Sequence, residues 1–142
     1  MPNTENHIIE RLPRGVQTRF LERCEFYELV PSTELSARGT TLTHAYFPNS
    51  GSISLVSEVG SHPPIEVGVE SMLGSELLLG VAKTPWRSVV RGAGNCWRIE
   101  TRALRQALTD MQALQALLQR NLMVRVRQHQ ALASAAAVSW AA

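Results

Sequence analysis

The side chains able to hold a metal, attack a substrate or carry a proton are few in this sequence, and they do not cluster. The histidines are His7, His44, His62 and His129, each alone in its local sequence. A metal site on a β scaffold needs closely spaced imidazoles with a carboxylate, as in H-x-H followed by Glu, and no such string occurs. His44, two residues from Tyr46, reads as a surface or half-buried side chain. Cys24 and Cys96 are far apart and too few for an iron–sulfur cluster. In a chain this apolar they read as buried free thiols rather than a disulfide framework. Neither a G-x-S-x-G elbow nor a P-loop is present. The expectation is no catalytic residue, no metal and no enzymatic activity. Arginines are more plentiful: Arg98, Arg102 and Arg105 lie close together, with Arg120 and Arg127 further on. Arginines on the polar face of an amphipathic helix usually solvate it, so direct DNA contact by them is not expected.

Composition supports a globular binding protein. The 142 residues are 44% hydrophobic and 18% charged, enough to bury a core in one domain with an appended element. A net charge of +2 does not by itself indicate nucleic acid. The polar, acid-bearing start MPNTENHIIE does not read as a secretory signal. Leu77 to Ala82 and the Ala-rich stretch Ala131 to Ala142 both fall short of the roughly 20 residues a spanning helix needs. A soluble, cytoplasmic protein with no membrane partner is expected.

The elements that must position any site follow from periodicity. Residues 1–24 read as a helical segment: Ile8, Ile9 and Leu12 form one apolar turn, Pro13 and Gly15 break it, and Val16, Phe20 and Leu21 resume at helical spacing, with Thr4 or Asn6 as cap. Residues 25–100 read as β. Phe26 to Val30 opens a strand, and Pro48-Asn49-Ser50-Gly51 is a dense turn signal. Ser52 to Val56 and Ile65 to Glu70 alternate as half-buried strands do. Trp86 to Arg91 and Cys96 to Ile99 are strands separated by Gly92-Ala93-Gly94-Asn95, a tight-turn signal. Met72 to Ala82, with three consecutive leucines, reads as a short helix or turn inserted in the β region. Several short strands with regular turns predict a sandwich, jelly roll or barrel. Residues 101–142 read as helical, Thr101 to Leu108 as one short piece and a longer one after Asp110 as cap.

Two local strings carry a family resemblance. Tyr46-Phe47-Pro48-Asn49-Ser50-Gly51-Ser52-Ile53-Ser54 resembles the Y-F-P-x-S-G-x-I-S turn of the Crp/Fnr regulators. Val67-Gly68-Val69-Glu70-Ser71-Met72-Leu73-Gly74 resembles that family's V-G-x-E-G-M-x-G segment, with Ser71 where the second glycine usually stands. With the element order, the resemblance covers about residues 5 to 130. It implies a mainly β fold with flanking helices: an antiparallel double-stranded β-helix, jelly-roll-like and cyclic-nucleotide-binding-like, followed by a long C-terminal helix. In that family a Gly-Glu pair opening a short helix and an Arg-Ser/Thr pair before the next strand hold a cyclic nucleotide, the helix amides and Arg on the phosphate and the Glu on the ribose. The equivalents here are Gly74 with Glu76, and Arg87 with Ser88. Ser75 separates Gly74 from Glu76, and one residue on a helix turns a side chain by about 100°. Pro85-Trp86 also makes a rigid, bulky step before Arg87. The expected pocket is degenerate, the effector is unknown, and a cyclic nucleotide is its family-implied candidate.

The longer helix places Met111, Leu114, Leu118, Leu122, Arg125, His129, Leu132 and Ala136 on one face. The resemblance implies that this helix lies on a dimer axis, with Met111, Leu114, Leu118 and Leu122 as an apolar seam and Arg125 and His129 on the same stripe. The alternative is that this face packs on the chain's own roll. Only Ala131 to Ala142 follow, too little for a winged helix-turn-helix, so operator DNA is not an expected partner of this chain. The expected function is an effector-sensing module of a Crp/Fnr-type regulator, homodimeric and non-enzymatic. The alternative is a structural dimerisation module that titrates full-length regulators.

Overall fold

The computed structural model describes residues 6–56, 63–79 and 83–121. It begins with two short helices, α1 (His7–Glu10) and α2 (Arg14–Leu21). Asn6 caps α1, its side chain accepting from the Ile8 and Ile9 amides, which satisfies donors that a helix start leaves open. Pro13 stands at the N-cap of α2. Gly15 lies inside α2 rather than breaking it.

Seven strands follow among the described residues: β1 (Glu25–Leu29), β2 (Glu34–Ser36), β3 (His44–Pro48), β4 (Ser52–Val56), β5 (Ile65–Val67), β6 (Arg87–Gly92) and β7 (Gly94–Glu100). They form two antiparallel sheets of order β1-β7-β3 and β2-β6-β4-β5. A short 3-10 helix (Ser75–Leu79) sits between β5 and β6, within the leucine-rich interruption. Gly92-Ala93-Gly94 is not a hairpin turn. It carries the chain from one sheet to the other, because β6 and β7 belong to different sheets. The crossing is tight: a Cβ on Gly94 would lie 2.4 Å from the Ser50 carbonyl.

Strand alternation divides the apolar residues between two cores. Tyr46, Ile53, Leu55, Val67, Val90 and Cys96 fill the space between the sheets. Ala45, Phe47 and Ile99 point the other way, onto a helical layer that includes Ile8, Ile9, Phe20 and Leu104. Phe20 meets Phe47 edge to face at 5.3 Å. α3 (Thr101–Asp110) leaves β7 directly, and residues 112–121 are helical after a break at Met111. Asp110 does not cap that second helix. It is the last residue of α3, and its carboxylate accepts from Arg23 Nη2 at 3.0 Å.

Candidate functional site

The residues expected to hold an effector come from two places. Gly74 opens the 3-10 helix and Arg87 opens β6. Gly74 has φ +112°, and a Cβ there would lie 3.1 Å from the Cβ and 3.2 Å from the Cα of Ala45, so glycine is required both by backbone and by space. Its neighbour Leu73 exchanges two 2.9 Å backbone hydrogen bonds with Tyr46, which pins the insert to β3. Ser75 is buried, and its hydroxyl finds no hydrogen-bond partner among the described residues. The Glu76 side chain lies outside the described residues.

Arg87 and Ser88 are adjacent on a strand and so face opposite ways. Arg87 is turned outward: its Nε donates to Glu34 Oε2 at 2.8 Å, with the two side chains 45% and 43% exposed. Ser88 is fully buried, its hydroxyl 2.5 Å from that of Ser36. Both partners stand on β2, a strand that sequence reading misses, whose register on β6 shifts between Glu34 and Ser36. Among the described residues, no hydrogen bond or ion pair joins Arg87 or Ser88 to Gly74. The segment between the two halves is held by a different loop: Thr84 N donates to Thr40 O, and Gly39 N to Thr84 O.

Other sequence candidates have structural partners. Arg98 lies 4.0 Å from the Tyr27 ring centre and donates to Glu25. Burial alone would lower its pKa, but hydrogen bonds to Glu25 and Tyr46 outweigh that and raise it. Cys24 and Cys96 are both free thiols, and burial pushes each up to about 12. Among the described residues no group of three His, Cys, Asp or Glu is placed to hold a metal.

Three of the expected seam residues are already buried within the single chain. Met111, Leu114 and Leu118 are 3%, 0% and 0% exposed in the single chain, packed in the same cluster as Ile8, Phe20 and Leu104. A side chain already out of water gains nothing by meeting a partner. The periodicity correctly marks a buried face, and the roll's own helical layer is what buries it. Leu122, Arg125 and His129 lie outside the described residues.

Solved structures share this fold, among them the three that follow. The Thermus thermophilus catabolite activator protein superposes with a TM-score of 0.74 at 12% identity, over 92% of this chain and 62% of its own. The cyclic nucleotide-binding domain from Methylobacillus flagellatus KT gives 0.71 at 13% identity, over 88% and 78%. This chain has the cyclic-nucleotide-binding-like fold. The N-terminal domain of a transcriptional regulator from Streptomyces coelicolor A3(2) superposes with a TM-score of 0.65 at 14% identity, over 90% and 93%. No family model and no curated protein matches the sequence. The chain thus spans less than two thirds of the Thermus protein's length. No described helix is long and apolar enough to cross a membrane.

Proposed function

We propose that this chain is the effector-sensing domain of a Crp/Fnr-type regulator, acting without catalysis and with a pocket that has lost the usual grip on a cyclic phosphate. One observation carries the reading. Leu77, on the 3-10 helix that would close on a ligand, lies in the same buried cluster as Leu104 of α3 and as Met111, Leu114 and Leu118 beyond it. Close-packed side chains transmit a displacement, since the core leaves no room to absorb it. A ligand that repositions the insert therefore acts on the helices leaving the roll, to the extent that it binds the two arrangements differently.

The loss of cyclic-nucleotide recognition rests on Ser88 more than on Arg87. An exposed pair such as Arg87–Glu34 is worth about 0–1 kcal/mol, so a ligand can displace Glu34 at little cost. Ser88 is buried with its hydroxyl engaged by that of Ser36, a bond that competes with any phosphate. An anionic effector would then draw its main charge contact from Arg87, helped by backbone amides near Gly74. The pure dimerisation reading is weaker, because three of its seam residues are core residues. A homodimer would have to be built on other side chains.

A thermal-shift screen of cyclic mono- and dinucleotides and other small anions tests the proposal. A ligand at a hundred times its dissociation constant adds about 2.7 kcal/mol to the native state. The expected hit raises the melting temperature, changes hydrogen exchange over 101–121, and loses affinity in Arg87→Ala, with cyclic AMP inactive below millimolar. Saturation without any change over 101–121, or no stabilising ligand, would overturn it.

A further inference from the structure

A second opening lies away from Arg87. Between the start of β3 and α3 is an open cleft of about 720 Å3, with Thr43 and His44 on one wall and Arg102 and Arg105 on the other. Leu42 and Leu77, both nearly buried, close its floor. The volume falls within the roughly 300–1,000 Å3 usual for small-molecule sites.

The charge on α3 is arranged unusually. Leu104 and Ala107 are buried, which leaves Arg102, Arg105, Gln106 and Thr109 on the opposite face at helical spacing. Arg102 and Arg105 make no ion pair among the described residues. Glutamine, not an acid, stands at position 106, four residues after Arg102. The helix's one carboxylate, Asp110, is drawn away to Arg23. Glu100 is the only acid on the cleft wall among the described residues. Two like charges three residues apart repel one another, and a doubly charged anion between them removes that repulsion while accepting from both planar forks.

We infer that the cleft between β3 and α3 binds a small phosphorylated molecule, with Arg102 and Arg105 on the phosphate. This goes beyond the sensing role above and does not depend on it. Because α3 is the described link between the roll and residues 112–121, such a ligand would bear on the same helices from their other side.

The test is a titration of the whole chain with adenosine 5′-monophosphate and with pyrophosphate, followed by calorimetry and by the NMR resonances of the His44 ring. His44 lines this cleft, and burial, then Arg98, holds its pKa below the ordinary value, so a phosphate docking beside it should shift its resonances and raise its pKa. Saturable binding by the monophosphate with a His44 shift is expected. Arg102→Gln with Arg105→Gln should weaken it by at least about tenfold, since each lost charged hydrogen bond is itself worth about that factor. Both side chains are exposed, and circular dichroism checks that the variant stays folded. Arg87→Ala should keep the His44 shift on adding the monophosphate, which separates this site from the one proposed above. The inference is overturned by the absence of a saturable His44 shift at about 10 mM, a concentration that captures even millimolar affinities. It is equally overturned by an unchanged double variant, or by sulfate acting as well as the monophosphate.

Discussion

Leu118→Ala separates a core residue from an interface residue. Leu118 is 0% exposed within one chain, surrounded by the cluster that holds Ile8, Phe20, Leu104 and Leu114. The substitution removes three buried carbons, worth about 2.4 kcal/mol at about 0.8 kcal/mol each. The cavity left behind adds to this, and the total falls in the range of about 2–5 kcal/mol seen for such truncations. For a domain of this size each kcal/mol moves the melting temperature by a few degrees, so a fall on the order of 10 °C is expected. Urea denaturation at protein concentrations differing fiftyfold is the assay. The variant's midpoint should drop while parent and variant midpoints stay independent of concentration. A loss under about 1 kcal/mol, or a parent midpoint that rises with concentration while the variant's does not, would refute the assignment and restore the seam.

Other outcomes follow from single side chains. Gly74→Ala forces a Cβ to 3.1–3.2 Å from Ala45 at φ +112°, which should cost on the order of 1–3 kcal/mol by chemical denaturation. A neutral result would mean that the insert's backbone is less constrained than it is here. Cys24 and Cys96, pushed up to about 12 from 9.0 by burial, should resist thiol reagents at pH 8 until the chain unfolds, with fast native labelling as the contrary result. Their folded pKa values lie above the unfolded ones, so their contribution is complete below pH 9 and falls as pH rises from about 9 to 12, as the unfolded thiols ionise first. A stability curve flat over that window would contradict the burial.

The roll is legible in the sequence where local chemistry and global fold agree. Ser52 to Val56 alternates and is bounded by Pro48-Asn49-Ser50-Gly51, so strand β4 and the turn before it can be read directly. β2 cannot, because Glu34–Ser36 is too short to show a period. That omission matters, since β2 supplies the partners of both Arg87 and Ser88. The helical stripe from Met111 to Leu118 announces a buried face, but periodicity says nothing about which surface covers it. Gly92-Ala93-Gly94 signals a change of direction without saying whether the next strand pairs with the last. Asp110 has the composition of a helix cap, and only the tertiary fold brings Arg23 to it.

The proposed sensing role requires the insert and the outgoing helices to move as one unit through the core that Leu77 shares with them. Hydrogen exchange of the parent and of Leu77→Ala tests this most directly, with the amides of residues 112–121 as the readout and those of β4 as reference. Sharing one core predicts that the truncation lowers protection over 112–121 beyond any change in β4, because the cavity opens in the cluster that holds Leu114 and Leu118. Protection over 112–121 that tracks β4, with no additional loss, would show that the insert does not communicate with the helix, and would contradict the sensing role.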